Sequence, residues 1–523
     1  MSNLSSKFNL PWLFLAGILS MFAFAPYHKS IFIIISILML LWVYETSLSK
    51  NRKIYLHLGI ACFAMGYFSA QLYWIFYSLN YIINTGFIIA VIAQLAFSAV
   101  MAFFISLAFF IFDYFRTKSL EINYLFIFPS CWVLGEWLRG WVLTGFPWCD
   151  VGYTQIGNYL LNGYFPVLGI YGVSWLTLSV IGFLFIVIYQ RQNLLGNAPQ
   201  ITRSLRLSIV YFMLLAIIGY GLNNQQYTKP YGKQIKVALI QGNIDQETKW
   251  DSRKFLRNLD MYAKAIARTK ADLIILPETA FPIFEDNLPP YYLNDITALA
   301  KANGAELVIG MPQIINAAGD YASAAVEVSK PGHPYYAKTH LVPFGEFTPF
   351  PQLWGGLYRL FGLPMVGFSG GSLNQKPFIL ANQKIAFNIC YENGFASELV
   401  SRAANSTIMA NISDLVWFGN THAKDEHLQL SQARALENQR YFIQGTNTGS
   451  SAIIKPNGEI QSRLPDFESG VLIDYVQGVI GTTPYQRYAN YPIIGGIFFL
   501  LFLTITAKCI SLYRAKHKRH SGA

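Results

Sequence analysis

Charge is what this sequence has least of: 13% of its 523 residues are Asp, Glu, Lys or Arg, while 53% are hydrophobic. So apolar a composition excludes an ordinary soluble enzyme and places much of the chain in lipid. Metal-site patterns are missing too. No CxxC and no HxxxH occurs, and His333, His340, His422 and His427 are scattered, the last two being five apart and so on different faces of a helix. Neither a metal nor a cofactor is expected. No repeat at a solenoid period and no low-complexity tract is present. Despite a net charge of +11, no basic stripe with interleaved aromatics offers itself to nucleic acid.

In place of these features stand long apolar runs. Those of bilayer-crossing length, about 17–25 residues, begin near Leu10, Ile31, Ile54, Gly86, Ile122, Gly172, Leu205 and Ile493, which makes eight candidate spans. The run over 122–137 is short and ends on Glu136 and Arg139, so it also suits a re-entrant or tilted segment. The first run, preceded by Lys7 and closed by Ala23-Phe24-Ala25, has the outline of a signal peptide. Pro26 is an awkward residue to follow a cleavage point and further spans come soon after, so an uncleaved anchor is expected.

Lysine and arginine give the orientation, because short loops rich in them stay cytoplasmic. One set of loops holds Lys7; Lys50, Arg52 and Lys53; Arg116 and Lys118; Arg191, Arg203 and Arg206; and Arg514, Lys516, Lys518 and Arg519. The alternate short loops hold little beyond Lys29 and Arg139. The expected layout is seven spans over 1–222, an outer domain over 223–488, an eighth span over 489–513 and a basic tail over 514–523. Both termini are then cytoplasmic, and in a bacterium with two membranes the outer domain of this inner-membrane protein is periplasmic.

That outer domain reads as α/β. The buried-strand runs KVALIQ, DLIILP, ELVIG, KIAFNIC and TIMANIS alternate with stretches of helical period at 253–269 and 423–440, and further strands are expected at 441–446, 450–455 and 470–475. Such alternation favours an enclosed sheet with active groups at strand ends. Of the five cysteines, only Cys390 belongs to this domain, so it has no partner there for a disulfide. A buried cysteine is usually an inert hydrophobe; a lone thiol in an oxidising compartment needs deep burial or a function.

Two other strand exits are chemically loaded. In DLIILPETAFP the strand ends in Pro277-Glu278, where partial desolvation raises a carboxylate's pKa and suits it to general-base work. In YYAKTHLVPFGEFTPF, Lys338 follows a β-type run and Glu346 follows a turn at Pro343 to Gly345. A lysine ammonium supports an oxyanion and lowers the pKa of a nearby thiol.

Glu, Lys and Cys in this order resemble the catalytic set of the nitrilase superfamily, whose domain is an αββα sandwich. LPETAFP, YAKTHLVPFGEF, NICYENGF, WFG and RALENQRYFIQGTNTG, with seven spans before and one after, are similar to its membrane-bound branch, the apolipoprotein N-acyltransferase family. The resemblance runs over essentially the whole chain and implies Glu278 as base, Lys338 as oxyanion support and Cys390 as nucleophile. It further implies that Glu346 positions Lys338, that Tyr391 and Glu392 flank the nucleophile, and that Trp250 lies on a mobile loop near the entrance. Trp417 matches as a lipid-contacting residue or a packed aromatic. One stretch departs: the family's Ser-Asn-Asp before the tryptophan is here Ser413-Asp414-Leu415-Val416-Trp417, so the local hydrogen-bond network must differ. In EWLRGWVLTGFPWCDVG, Gly145 and Trp148, with Trp137 and Trp141, are expected to shape a lipid entrance or to form an ordinary aromatic belt; Glu136 and Arg139 are placed to pair with each other.

The implied activity is two-step acyl transfer from a membrane phospholipid, through a Cys390 thioester, to the free α-amine of an apolipoprotein's diacylglyceryl-cysteine, by a monomer. Two alternatives share some of these features. A membrane-tethered amidase would hydrolyse the same acyl-enzyme, whereas a transporter or receptor would carry ionisable residues deep in its spans, and these spans are almost devoid of them.

Overall fold

The computed structural model describes residues 9–49, 53–192, 198–352, 356 and 367–520. Lys7, Lys50 and Arg52 of the orientation argument lie outside them. The chain divides into two units, one formed by Met1–Tyr73, Ile92–Gln225 and Tyr488–Ala523, the other by Trp74–Val91 and Gln226–Arg487.

The first unit is helical. Among the described residues, helices long and apolar enough to cross a membrane are Ile31–Leu48, Phe87–Phe115, Asn162–Gln190, Arg206–Asn223 and Tyr491–Arg514, with a sixth if the bent pair Tyr55–Gln71 and Tyr73–Ile82 makes one span. The other two expected spans are helical but different in kind. Leu10–Ala23 is a shorter apolar helix. The run over 120–139 passes through a π-helical turn at Asn123–Ile127 into the helix Phe128–Arg139, whose end buries Glu136 and Arg139.

Those two charges do not pair with each other as expected. The chain turns back after Arg139 through Gly145, at φ +86°, where an added Cβ would lie 2.3 Å from Gly140 O. The turn delivers the wholly buried Asp150 to the Arg139 guanidinium, which also donates to Trp148 O. Glu136 instead accepts from Trp132 Nε1 at 3.0 Å and Val151 N at 2.8 Å. A buried guanidinium needs a carboxylate and further acceptors together, and the returning loop supplies both.

Among its described residues the second unit carries fourteen strands: β1 Thr228–Pro230, β2 Ile235–Gln241, β3 Leu273–Ile275, β4 Glu306–Ile314, β5 Tyr321–Glu327, β6 Tyr335–Ala337, β7 Phe378–Leu380, β8 Gln383–Ile389, β9 Ile408–Ser413, β10 Phe442–Thr446, β11 Ala452–Ile454, β12 Ile460–Arg463, β13 Gly470–Val476 and β14 Val479–Gly481. One six-stranded sheet runs β13-β2-β3-β4-β5-β6, the other β12-β11-β10-β9-β8-β7, and β1 pairs with β14. The middle of each sheet is parallel, β2-β3-β4 and β8-β9-β10, which is why these strands read as unbroken apolar runs buried on both faces.

Alternation along each strand sends side chains to two different cores. Val237, Leu239, Leu273 and Ile275 of the first sheet meet Ile385, Phe387, Ile389, Ile408 and Ile412 of the second. On the outside of the first sheet, Ala238, Ile240, Ile274 and Ile309 pack under Tyr262 and Ile266 of the helix Ser252–Arg268 and Ile296 of the helix Tyr292–Ala302. On the outside of the second, Met409, Phe442 and Ile454 pack under Leu399 of Ala396–Ala404 and Leu428 and Ala435 of Ala423–Asn438. The order is helix, sheet, sheet, helix.

Candidate active site

Strand β8 ends at Ile389, and Cys390 opens the 3₁₀ turn Cys390–Gly394 with φ +51°. A left-handed φ is costly for a residue with a Cβ and persists where its surroundings hold it. Two groups do so: Asn411 Nδ2 and His427 Nε2 both donate to Cys390 O, at 3.3 and 3.1 Å. Burial lowers the His427 pKa to about 4, so the ring is neutral, and a carbonyl partner requires Nε2 to carry its hydrogen. The nucleophile candidate is thereby presented on a strained turn fixed from β9 and from the helix Ala423–Asn438.

Lys338 immediately follows β6, its N–H bonded to Ser323 O of β5 at 2.8 Å. The residue is only 1% exposed, and its Nζ donates to Glu346 Oε1 at 2.7 Å and Glu278 Oε1 at 3.4 Å. Glu346 is anchored in turn by Val342 N–H, 2.7 Å from Oε2. Glu278, beyond the end of β3, is buried and accepts at Oε2 from Asp414 N–H at 2.9 Å, with Ser323 Oγ 3.5 Å from Oε1. The first sheet thus supplies Glu278 and Lys338, and the second supplies Cys390.

Burial pushes the Glu278 carboxyl above its ordinary range; Lys338 and the Asp414 N–H pull it back, while the charges of Glu346 and Asp414 push the same way as burial. Burial alone would discharge Lys338, but the two glutamates overcome it and hold the ammonium charged. For Cys390, burial and then the Glu278 charge raise the thiol pKa well above its usual value, and the pull of Lys338 does not offset them. The expected depression of the thiol by the lysine is therefore outweighed. The resting group is a thiol, to be deprotonated as it attacks, beside a carboxylate suited to take the proton and a fixed cation suited to an oxyanion.

Glu392 is turned into the protein. Wholly buried, it accepts from Ile389 N–H (2.6 Å), Thr339 N–H (2.6 Å), His340 N–H (3.1 Å) and Tyr336 OH (2.9 Å). It therefore joins the segment after Lys338 to the one before Cys390. Arg402, stacked 4.9 Å from the Tyr336 ring centre, also donates to Tyr336 OH. Tyr391 packs edge-on to Phe395 at 5.0 Å, and Phe395 stacks on His340 at 3.5 Å.

Asp414, where the sequence departs from the family it resembles, is fully engaged. Its carboxylate forms an ion pair with Lys249 and accepts from Asn447 Nδ2 at 3.0 Å, while Leu415 is buried. Trp250, next to Lys249 at the end of the helix Gln246–Trp250, is 60% exposed. Trp417 is exposed on the turn Leu415–Phe418, its carbonyl accepting from Ser78 Oγ at 2.5 Å. Gly145 and Trp148 belong to the helical unit, where Trp148 is buried and stacks on Phe146. Sequence patterns missed Lys249, Asn411, His427 and Asn447. Only Lys249 had a legible signal, since an aspartate new to a buried turn calls for a cation. Among the described residues, no group of His, Cys, Asp and Glu is arranged to hold a metal.

Residues 236–485 match the carbon-nitrogen hydrolase family, and residues 16–183 match the apolipoprotein N-acyltransferase N-terminal domain. The chain is 39% identical over 495 residues to the apolipoprotein N-acyltransferase of Chromobacterium violaceum, covering 94% of this chain and 92% of that one. It is 34% identical over 515 residues to that of Neisseria meningitidis serogroup A, covering 97% and 96%. Against that of Nitrosomonas europaea it is 32% identical over 520 residues, covering 98% and 100%.

Proposed function

The chain belongs to the apolipoprotein N-acyltransferase family, membrane enzymes of the last step of lipoprotein maturation with a nitrilase-fold domain, and we propose that Cys390, Glu278 and Lys338 perform its transfer in two steps. In the first, Cys390 Sγ attacks an ester carbonyl of a phospholipid as Glu278 takes the thiol proton. Lys338 Nζ, with backbone N–H groups, meets the tetrahedral oxyanion. Collapse breaks the ester C–O bond, Glu278 returns the proton to the departing oxygen, and a lysophospholipid leaves a thioester on Cys390.

In the second step the α-amine of a diacylglyceryl-cysteine attacks the thioester carbonyl. Glu278 takes the amine proton, the C–S bond breaks, and the proton passes to sulfur, leaving an amide and a restored thiol. A thioester serves because it is more reactive toward amines than the ester from which it came. Glu346 positions Lys338, Tyr391 and Glu392 support the nucleophile's turn, Trp250 and Trp417 contact lipid, and the buried Gly145 and Trp148 fix the loop that shapes the lipid entrance.

The observation that carries this assignment is a cysteine at φ +51° on a strand exit, with a charged buried lysine held between two glutamates in electrostatic range of its thiol. Residues 223–488 form the catalytic domain on the periplasmic side of the inner membrane, between the spans of 1–222 and that of 489–513, with the 514–523 tail cytoplasmic; the enzyme acts as a monomer. Incubation with a diacyl phospholipid followed by intact-protein mass spectrometry should reveal one acyl chain on Cys390, discharged when a diacylglyceryl peptide with a free amine is added. Amide formation with no adduct at any time would overturn the two-step route.

A further inference from the structure

We propose that Lys249 is a positioning residue for Glu278, acting through Asp414, whose carboxylate it neutralises and whose backbone N–H holds the base. Assigning Glu278 as the base, as above, is the premise.

Lys249 and Asp414 side chains are 3% and 7% exposed, so the pair is desolvated. Breaking such a pair from one side leaves an uncompensated buried charge. The second carboxylate oxygen of Asp414 takes Asn447 Nδ2, which also donates to Ile244 O at 2.7 Å, while Asn447 Oδ1 accepts from Ile244 N–H at 3.1 Å. Asn447 thus ties Asp414 to the segment that leads into the helix Gln246–Trp250. That helix is capped by Asp245, which accepts from Thr248 N–H at 2.6 Å. Its last two residues divide the work: Lys249 is buried against Asp414 and Trp250 faces outward.

The charges around the base come from several elements. Glu278 faces Lys338, Glu346, Asp414 and the Cys390 thiol, and Asp414 faces Lys249 and the Tyr262 hydroxyl of the helix Ser252–Arg268. Three carboxylates therefore face two ammoniums, and Lys249 is the one that does not touch Glu278. Without it, the ionised Asp414 makes ionisation of Glu278 harder, so a higher pH is needed to produce the base. With Asp414 made neutral, Lys249 is unbalanced and the shift reverses.

The test follows acyl adduct formation on Cys390 against pH, with full-length protein in detergent micelles containing a diacyl phospholipid. Lys249→Met should move the acidic limb up by about one pH unit, the size typical of one neighbouring charge. Asp414→Asn should move it down, and the double variant should return it close to the starting position. An unmoved limb in Lys249→Met, or both single variants shifting the same way, would overturn the proposal. Should Lys249→Met fail to fold, the comparison of Asp414→Asn with the double variant decides, since a double variant no different from Asp414→Asn removes any role for Lys249. Glu278→Gln separates the premise: if that variant keeps the rate and the limb, the base assignment itself fails.

Discussion

Cys390 starts from an unfavourable protonation state, and this sets what its neighbours must do. An ordinary thiol with a pKa of about 8.5 would supply some thiolate near neutrality, but burial and the Glu278 charge remove that supply. Glu278→Gln should consequently slow acylation of Cys390 by about 10²–10⁴-fold, the usual range for a general base. Lys338→Met should lose a similar or larger factor by removing oxyanion support and leaving Glu278 and Glu346 facing each other without a cation. Single-turnover mass spectrometry with phospholipid alone reads both, and rapid, complete acylation of Lys338→Met would contradict its role. Cys390→Ala should abolish both adduct and transfer while the protein still inserts into the membrane. The pH response has a definite sign: burial raises the Glu278 pKa, so its base form is lost on acidification above the ordinary glutamate value of about 4.3. Acylation should therefore already decline on the acid side while exposed glutamates remain ionised. A rate independent of pH down to that ordinary value would contradict Glu278 as base.

The turn that carries Cys390 depends on an element-to-element tie through Glu392. Its carboxylate satisfies three backbone N–H groups, those of Thr339, His340 and Ile389, from two separate segments. Glu392→Ala would orphan all three, and at about 1–3 kcal/mol per unsatisfied buried group the loss is ~3 kcal/mol or more. Thermal unfolding should report this as a clear drop in Tm, with activity falling as well; an unchanged Tm would mean that water replaces the carboxylate without cost. The central strands around this tie were legible in sequence. KVALIQ, KIAFNIC and TIMANIS lie within a residue of β2, β8 and β9, because parallel strands buried on both faces are continuous apolar runs. The helices at 253–269 and 423–440 correspond to Ser252–Arg268 and Ala423–Asn438. Strand β5, YASAAVE, was not legible: its alanines favour helix locally, and pairing with β4 and β6 decides the matter. Likewise Asn411 and His427 act by holding a carbonyl in three dimensions, for which a linear sequence has no spacing rule.

At the scale of the whole chain, the two reactants set a requirement on topology. Both phospholipid and lipid-modified acceptor are held in a bilayer, and the segment bearing Cys390 is joined in the chain to the apolar helices Arg206–Asn223 before it and Tyr491–Arg514 after it. The side proposed for that segment rests on charge. The loop before the first of these helices carries Arg191, Arg203 and Arg206, and the stretch after the second carries Arg514, Lys516, Lys518 and Arg519, whereas the short loops on the other side hold little beyond Lys29 and Arg139. Arg139 is moreover committed to a buried pair with Asp150, so it is not a free topology signal. Lys and Arg near the ends of spans remain cytoplasmic, so the proposed orientation has both clusters on the inside and the residues between the two helices on the outside. Reporter fusions after Tyr227 and after Glu468 should both give a periplasmic signal, and fusions within the 191–206 loop a cytoplasmic one. The Glu468 fusion is the more demanding, because it requires that no part of the intervening sequence crosses the membrane. A cytoplasmic signal there would separate Cys390 from acceptors in the outer leaflet and overturn the orientation on which the two-lipid reaction depends.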